Sequence, residues 1–481
     1  MFKKLLNSAI LMTWLRDFVR IGTPFFVVPQ VLAFYSAEEQ TFYFWIGILF
    51  SFVMVADAGI SSVVIRATSY FNAGADKIPK NRDEFDKADE IKGREPNYAN
   101  IIELFHTSKW IYYILTIFLV IMLSTAGVAA FWNLIENTGH RPDMWAAYGT
   151  LSIYFGIYML NIRWSSFMRG LDFVAVEARF NTITTSARII IWIILLSLQY
   201  KPLALTIALV AEGIATHFYL RYFIIKWFKK NKIKIARKGS FNKKIFMSLW
   251  PAAWRMGGIQ LGNFLVERGN NILILQVNDT ALMANFTFTT WILKTIFSFS
   301  LTPVYSRLPV LYKFAAEKNF PSLKRSAAGY MFLGITMITV FYAIIGGFAN
   351  PLLEFLNSDR RIIYPLILFA IMALTEMLDL HSSFHAGVYT STNHIPFFWP
   401  SIISGAIIFF VGLFYSLPVH GLIGIILTRF IVQLCFNNWY AMYLNMRFLK
   451  WPLFSFIIDV PKYGFRFLLD KIREYLPSKT K

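Results

Sequence analysis

Apolar runs of about 20 residues recur along the whole of this 481-residue chain. Each is long enough to cross a hydrocarbon core of about 30 Å. A backbone inside lipid has no water to bond, so every N–H and C=O must be satisfied internally and the runs must be helical. The composition agrees: 56% of residues are hydrophobic and 15% are charged, against about 25% charged in soluble domains. The chain therefore reads as an all-α membrane protein. Its single cysteine, Cys435, excludes an internal disulfide and a cysteine-based metal site. No small-residue cleavage site follows Met1–Phe34 cleanly, so the first span is expected to stay in the protein.

The spacing predicts spans at 11–34, 41–65, 110–131, 145–168, 181–198, 203–225, 247–275, 282–306, 328–348, 363–388, 397–416 and 421–446. The connections then alternate in charge. Of 47 Lys and Arg residues, 35 lie at 1–10, 66–109, 169–180, 221–246, 307–327 and 447–481. The other connections hold only Arg141, Lys201, Arg360 and Arg361. Basic loops stay in the cytoplasm, which predicts twelve spans with both termini inside. This role for basic loops also accounts for the formal charge of +20 without invoking nucleic acid.

The acid-free stretch Lys226–Lys238 follows the sixth span and divides the chain. The expected organisation is an N-terminal six-helix lobe at 1–230, a basic linker at 231–246, a C-terminal six-helix lobe at 247–448 and a basic amphipathic tail at 449–481. Equal orientation of the halves suits two lobes related by an axis along the membrane normal, around a central cavity. The ends of spans two and eight, Val64-Ile65-Arg66 and Tyr305-Ser306-Arg307, match in kind. The tail 452–476 is aromatic and basic and suits a helix lying in the interface.

Eight bases fall inside spans: Arg16, Arg20, Arg163, Arg188, Arg255, Arg268, Lys294 and Arg429. A charge at the bilayer centre costs at least about 2.5–3.5 kcal/mol on insertion scales. Several of these must therefore face water, a counter-charge or an anionic ligand. Arg16 and Arg20 share a helix face beside Asp17 and lie close enough to the cytoplasmic end to snorkel. Lys294 is too deep for that. In span seven, Gln260, Asn263, Glu267 and Asn270 form a polar stripe that faces a partner helix or a watery cavity. Buried acids accompany the bases: Asp57, Glu212, Glu376 and Asp379. They either neutralise the arginines or relay protons. Intramembrane bases outnumber these acids, and Arg binds phosphate in bidentate fashion, so the cavity is expected to suit an anion.

No catalytic or nucleotide-binding motif is present; GxxxxGK[ST] and HExxH are both missing. His381 and His385 share a helix face but have no third ligand nearby in sequence, so no metal site is expected. The external loops are short, which disfavours a membrane glycosyltransferase or polymerase.

Two segments carry a family resemblance. The first runs from Phe34-Tyr-Ser-Ala-Glu-Glu-Gln-Thr-Phe-Tyr-Phe-Trp-Ile to Asp57-Ala-Gly-Ile-Ser-Ser-Val-Val-Ile-Arg66. It resembles the first helix pair of bacterial polysaccharide (oligosaccharidyl-lipid) flippases. The second, Phe167-Met168-Arg169-Gly170-Leu171, is similar to that family's Leu-x-Arg-Gly-Leu at the end of span four. The chain departs from the pattern in the Asn278-Asp279 turn and in the long 66–109 loop.

The resemblance implies the fold of the multidrug/oligosaccharidyl-lipid/polysaccharide exporter superfamily, with alternating access of two six-helix lobes. It implies flipping of an undecaprenyl-diphosphate-linked oligosaccharide, for O-antigen or a related surface polysaccharide, across a bacterial inner membrane. Membrane lipids, a polysaccharide polymerase and chain-length machinery are the expected partners, and no cofactor is expected. On this reading Arg255 and Lys294 are the first candidates for the diphosphate, followed by Arg16, Arg20, Arg163 and Arg188. Gln260, Asn263 and Glu267 line the cavity. Asp57, Glu376 and Asp379 are candidates for coupling to H⁺ or Na⁺. The alternative is a multidrug or organic-cation antiporter of the same superfamily, and after it a peptidoglycan lipid flippase.

Overall fold

The computed structural model describes residues 7–88, 91, 94–136, 141–233, 239–266, 280–355 and 366–475. Helices in chain order are α1 (Ala9–Phe34), α2 (Ala37–Asp57), α3 (Ile60–Asn72), α4 (Arg82–Lys87), α5 (Tyr98–Met122) and α6 (Val128–Glu136). Next come α7 (Arg141–Gly170), α8 (Val174–Ser197), α9 (Lys201–Lys230), α10 (Lys243–Phe264), α11 (Thr280–Tyr305) and α12 (Leu308–Ala316). The last are α13 (Phe320–Phe355), α14 (Leu366–Tyr389), α15 (Phe398–Val411), α16 (Leu417–Val432), α17 (Asn438–Leu449) and α18 (Leu453–Tyr475). No strand occurs among the described residues. Six helical stretches there are long and apolar enough to cross a membrane: Tyr98–Gly127, Val174–Ser197, Lys201–Lys230, Phe320–Phe355, Leu366–Thr392 and Phe398–Leu449. In the last of these, Gly421 leaves the helical path at φ 58° and ψ −140°, a conformation open to glycine because it has no Cβ.

The helices form two compact units. One holds Phe2–Ile78 with Gly93–Trp254, and the other holds Pro79–Lys92 with Arg255–Lys481. The division thus falls inside α10 rather than in the basic segment 231–246. The reason lies in what each end of α10 touches. At its start the Asn242 amide donates to Glu103 Oε2 at 2.6 Å and its backbone N–H to Thr107 Oγ1 at 3.2 Å. Farther along, a Cβ at Gly262 would stand 2.6 Å from the Ser401 backbone, so α10 and α15 cross with glycine at the contact.

In the first unit α7 packs on α3, α5 and α9, and α8 packs on α1 and α9. Val27, Val31, Tyr35, Trp192, Leu196, Ala204 and Ala208 form the buried core where α1, α8 and α9 meet. The run expected as one span at 41–65 is broken. Ala58 and Gly59 both take left-handed backbone, with φ 46° and 71°, and α3 starts afresh at Ile60. Helix α5 begins at Tyr98, well before the span expected at 110–131. In a wide turn at Leu123–Gly127 the Leu123 carbonyl accepts from Val128 N and also from Tyr148 Oη, the latter at 2.6 Å. A neighbouring hydroxyl thus gives a carbonyl of the wide turn a second donor.

In the second unit α13 packs on α11 and α18, and α14 packs on α11, α16 and α17. The short α4 belongs here although its sequence lies far from the rest. Asn81 caps it by accepting from Glu84 N at 2.9 Å. Its Phe85 is buried and meets Phe448 edge-on at 5.7 Å. The Lys318 ammonium donates to the Phe85 carbonyl and sits 4.3 Å from the ring centre. Asn393 Nδ2 donates to Pro79 O at 2.6 Å. Helix α18 lies where the sequence reads an amphipathic helix, and Phe467 closes on Gly329 of α13.

Candidate functional site: paired charges in two helical units

The two motif segments meet in the first unit. The turn at Ser36 is a capping box: Ser36 Oγ accepts from Glu39 N at 3.3 Å, and Glu39 Oε2 accepts from Ser36 N at 2.8 Å. The Ser-Ala-Glu-Glu pattern therefore starts a helix rather than binding a solute. Gly170, from the second motif, packs on α3, from the first. A Cβ there would lie 2.5 Å from Thr68 Cβ and 2.8 Å from Ile65 O. Ser69 Oγ donates to Gly170 O at 3.1 Å, and Arg169 pairs with buried Glu177 at 3.4 Å.

Asp57 ends α2 and is buried. Its carboxylate accepts from Tyr112 Oη at 3.1 Å and from Ser61 Oγ at 2.7 Å. Among the described residues no Lys or Arg forms an ion pair with it. The Ser61 N–H adds a longer contact at 3.4 Å, so neutral donors hold the acid and a change of its protonation breaks no salt bridge among the described residues. Arg163 on α7 is held in the complementary way. Its Nε donates to Ser108 Oγ at 3.2 Å and its Nη2 to Phe105 O at 2.9 Å. The guanidinium lies 4.2 Å from the Phe105 ring centre and 4.7 Å from that of Trp164, an arrangement that compensates a buried cation without a counter-charge.

Arg188 on α8 pairs with Glu212 on α9 at 2.9 Å, and Thr185 donates to the same carboxylate at 2.6 Å. Arg188 also borders a cavity of about 290 Å³ within this unit, shared with Thr23, Tyr43, Phe50 and Trp192. Arg16 binds Asp17 at 2.8 Å, and Arg20, largely exposed, lies 3.7 Å from the same carboxylate. His217 and Asn161 bond across α9 and α7 at 2.9 Å.

The second unit holds a four-charge cluster. Arg429 Nη2 on α16 donates to Glu376 Oε1 at 2.7 Å and to Asp379 Oδ2 at 2.9 Å, both on α14. Lys294 Nζ on α11 lies 3.0 Å from Glu376 Oε2. Two bases and two acids thus stand within ion-pair distance of one another. Arg429 was not among the site candidates from sequence, yet it is the residue that joins the two acids. A signal did exist: Ile425-Ile426-Leu427 leaves its charge isolated on an apolar helix, so it needs a deep acid nearby. One turn beyond Asp379, His381 and His385 face each other at 3.3 Å, and Asn445 Nδ2 lies 2.9 Å from His385 Nδ1.

On α10, Arg255 and Gln260 are half-buried and Asn263 is exposed. Glu267, like Arg268 and Asn270, lies outside the described residues. His394, between α14 and α15, lies 3.2 Å from Tyr389 Oη. Burial pushes its imidazole below the usual value, and the charges of Arg255 and Arg82 push the same way. Each unit therefore places its own share of the candidate bases. Four stand in the first unit with partners of their own, and Lys294 is tied into the second unit's cluster.

A bundle of long apolar helices with buried, paired charges defines a membrane-protein fold, and solved structures share it. The chain resembles a point mutant of a MATE protein at TM-score 0.71 and 14% identity, over 92% of this chain and 97% of the other. A MATE structure in the bent conformation matches at TM-score 0.71 and 14% identity, over 93% and 98%. A third, the outward-facing conformation of a multidrug resistance MATE family transporter of the MOP superfamily, matches at TM-score 0.69 and 12% identity, over 92% and 96%. No protein-family model and no curated protein matches the sequence. The likeness is one of fold: the chain folds as these MATE structures do.

Proposed function

We propose that this protein is a membrane transporter that moves an amphipathic organic solute by alternating access, coupled to H⁺ or Na⁺. The observation that carries the reading is Asp57. It is a buried intramembrane acid held by the hydroxyls of Ser61 and Tyr112 and by the Ser61 N–H, with no ion pair to Lys or Arg among the described residues. Such an acid changes protonation or takes up a small cation at the least structural cost. Glu376 and Asp379 stand behind it, because freeing either means breaking contacts to Arg429.

For the solute, organic-cation antiport is the first reading. It is supported by the likeness to a multidrug resistance transporter. It is also supported by the pairing of Arg188, Lys294 and Arg429, which removes much of the free positive charge that a diphosphate would need. The second reading is flipping of an undecaprenyl-diphosphate-linked oligosaccharide across a bacterial inner membrane, with both termini in the cytoplasm and a polymerase downstream. Its support is the convergence of the two motif segments at Gly170 and Ile65 and the excess of basic residues.

The test is transport by purified protein in vesicles under an imposed pH or Na⁺ gradient. One arm follows ethidium and the other a fluorescent prenyl-diphosphate oligosaccharide. Gradient-driven ethidium movement, lost in Asp57→Asn, supports the first reading. Glycolipid movement without ethidium movement overturns it in favour of the second. Movement of neither defeats the transporter reading.

A further inference from the structure

A second cavity lies apart from the charges discussed above. The last turns of α17 and the first residue of α18 enclose a groove of about 640 Å³. Trp439, Tyr443 and Met446 stand along one face of α17 and form its apolar wall, and Leu453 of α18 closes the far side. Trp439 and Tyr443 are 48% and 58% exposed, so the wall is not used up by packing inside the protein. Arg447 and Lys450 stand at the end of the groove where α17 stops. Both are exposed, and among the described residues neither makes an ion pair.

The groove is built on a held corner. Lys450 takes left-handed backbone, φ 47° and ψ 53°, and turns the chain out of α17. Lys324 Nζ donates to its carbonyl at 3.2 Å. Trp451 is buried and donates from Nε1 to Asp459 Oδ2 at 2.9 Å, which fixes the first turns of α18 against the corner. Beyond Leu453, the apolar residues Phe454, Ile457 and Ile458 of α18 are exposed as well. The apolar wall therefore continues onto a helix of the kind that lies in a membrane interface.

We propose that this groove binds an anionic glycerophospholipid of the bilayer. The phosphate sits between Arg447 and Lys450, and an acyl chain lies along Trp439, Tyr443 and Met446. The charge argument selects the head group. Two unpaired cations beside one slot favour a phosphate diester that carries a net negative charge, and a guanidinium can hold its oxygens in bidentate fashion. A zwitterionic lipid would bring its own cation to the same place. The volume falls within the usual range of about 300–1,000 Å³ for small-molecule sites.

The test uses the full chain, purified in neutral detergent and stripped of lipid. It is titrated with phosphatidylglycerol and with phosphatidylcholine carrying the same fluorescent tail. Wild type is expected to bind phosphatidylglycerol about tenfold more tightly, the scale of one charge-assisted contact. The double variant Arg447→Gln/Lys450→Gln is expected to lose that preference. Lys462→Gln/Arg466→Gln, which removes exposed charge from α18 outside the groove, is expected to keep it. If the Arg447→Gln/Lys450→Gln protein fails to fold, as judged by elution volume, Lys450→Gln alone carries the comparison. Equal binding of the two lipids overturns the proposal, as does an unchanged preference in the groove variant or an equal loss in the control pair. Stronger binding of a prenyl phosphate than of phosphatidylglycerol overturns the choice of lipid.

Discussion

Among the described residues, Arg429 is the one side chain bonded to both acids of the second unit's cluster, so its removal gives the sharpest test of the structure. Its Nη2 lies 2.7 Å from Glu376 and 2.9 Å from Asp379, while Lys294 Nζ lies 3.0 Å from Glu376. At charge separations near 4 Å and an effective dielectric near 20, each pair is worth about 4 kcal/mol. Two pairs give about 8 kcal/mol before desolvation, which costs several kcal/mol per ion. Arg429→Gln leaves two acids with one lysine, and breaking a buried pair in this way costs about 3–5 kcal/mol. The double variant Arg429→Gln/Asp379→Asn removes one charge of each sign. It is expected to recover about 0.5–3 kcal/mol relative to the sum of the two single changes, the range found for coupled neighbours. The assay is equilibrium unfolding in mixed micelles, followed by tryptophan fluorescence. A cost below about 1 kcal/mol for Arg429→Gln, or strict additivity in the double variant, would refute the assigned network.

Gly170→Ala places a Cβ 2.5 Å from Thr68 and 2.8 Å from a backbone oxygen. Thermal unfolding should show a loss of about 1–3 kcal/mol, while Gly149→Ala, with nothing within 4 Å of its new Cβ, should show none. Phe85→Ala empties the seat of α4 against Phe448 and Lys318. A cost of about 3–5 kcal/mol is expected, with faster tryptic cleavage after Lys87; unchanged cleavage would contradict the docking. His394 has its folded-state pKa lowered by burial. Above about pH 6.5 the imidazole is neutral in both folded and unfolded chains and adds no pH dependence. As the pH falls from there, the unfolded chain takes the proton first, so stability is lost. His394→Gln should flatten the melting temperature against pH below about 6.5, and an identical slope would remove His394 from that role.

The sequence by itself determined what depends on local order. Runs of about 20 apolar residues must be helical in lipid, and helices cover the described parts of those runs. The Ser36–Glu39 capping box and the amphipathic helix α18 are likewise legible from residue types at fixed spacing. Spacing also placed Glu376 and Asp379 on one face of a helix. It could not say which helix that face would meet. Periodicity gives the direction of a side chain about its own axis, whereas an ion pair needs two axes at a particular distance and rotation. Arg429 lies 53 residues from Glu376 and 50 from Asp379, and each deep acid had several bases to choose among. The left-handed break at Ala58 is not legible from alanine itself, and the mark of a turn lies on its neighbour Gly59, which shares the left-handed backbone. The docking of α4 on Phe448 joins residues more than 300 positions apart. Helix packing alone sets Arg163, Arg188, Lys294 and Arg429 against acids, carbonyls and rings, because burying an uncompensated cation costs more than any local preference can offset.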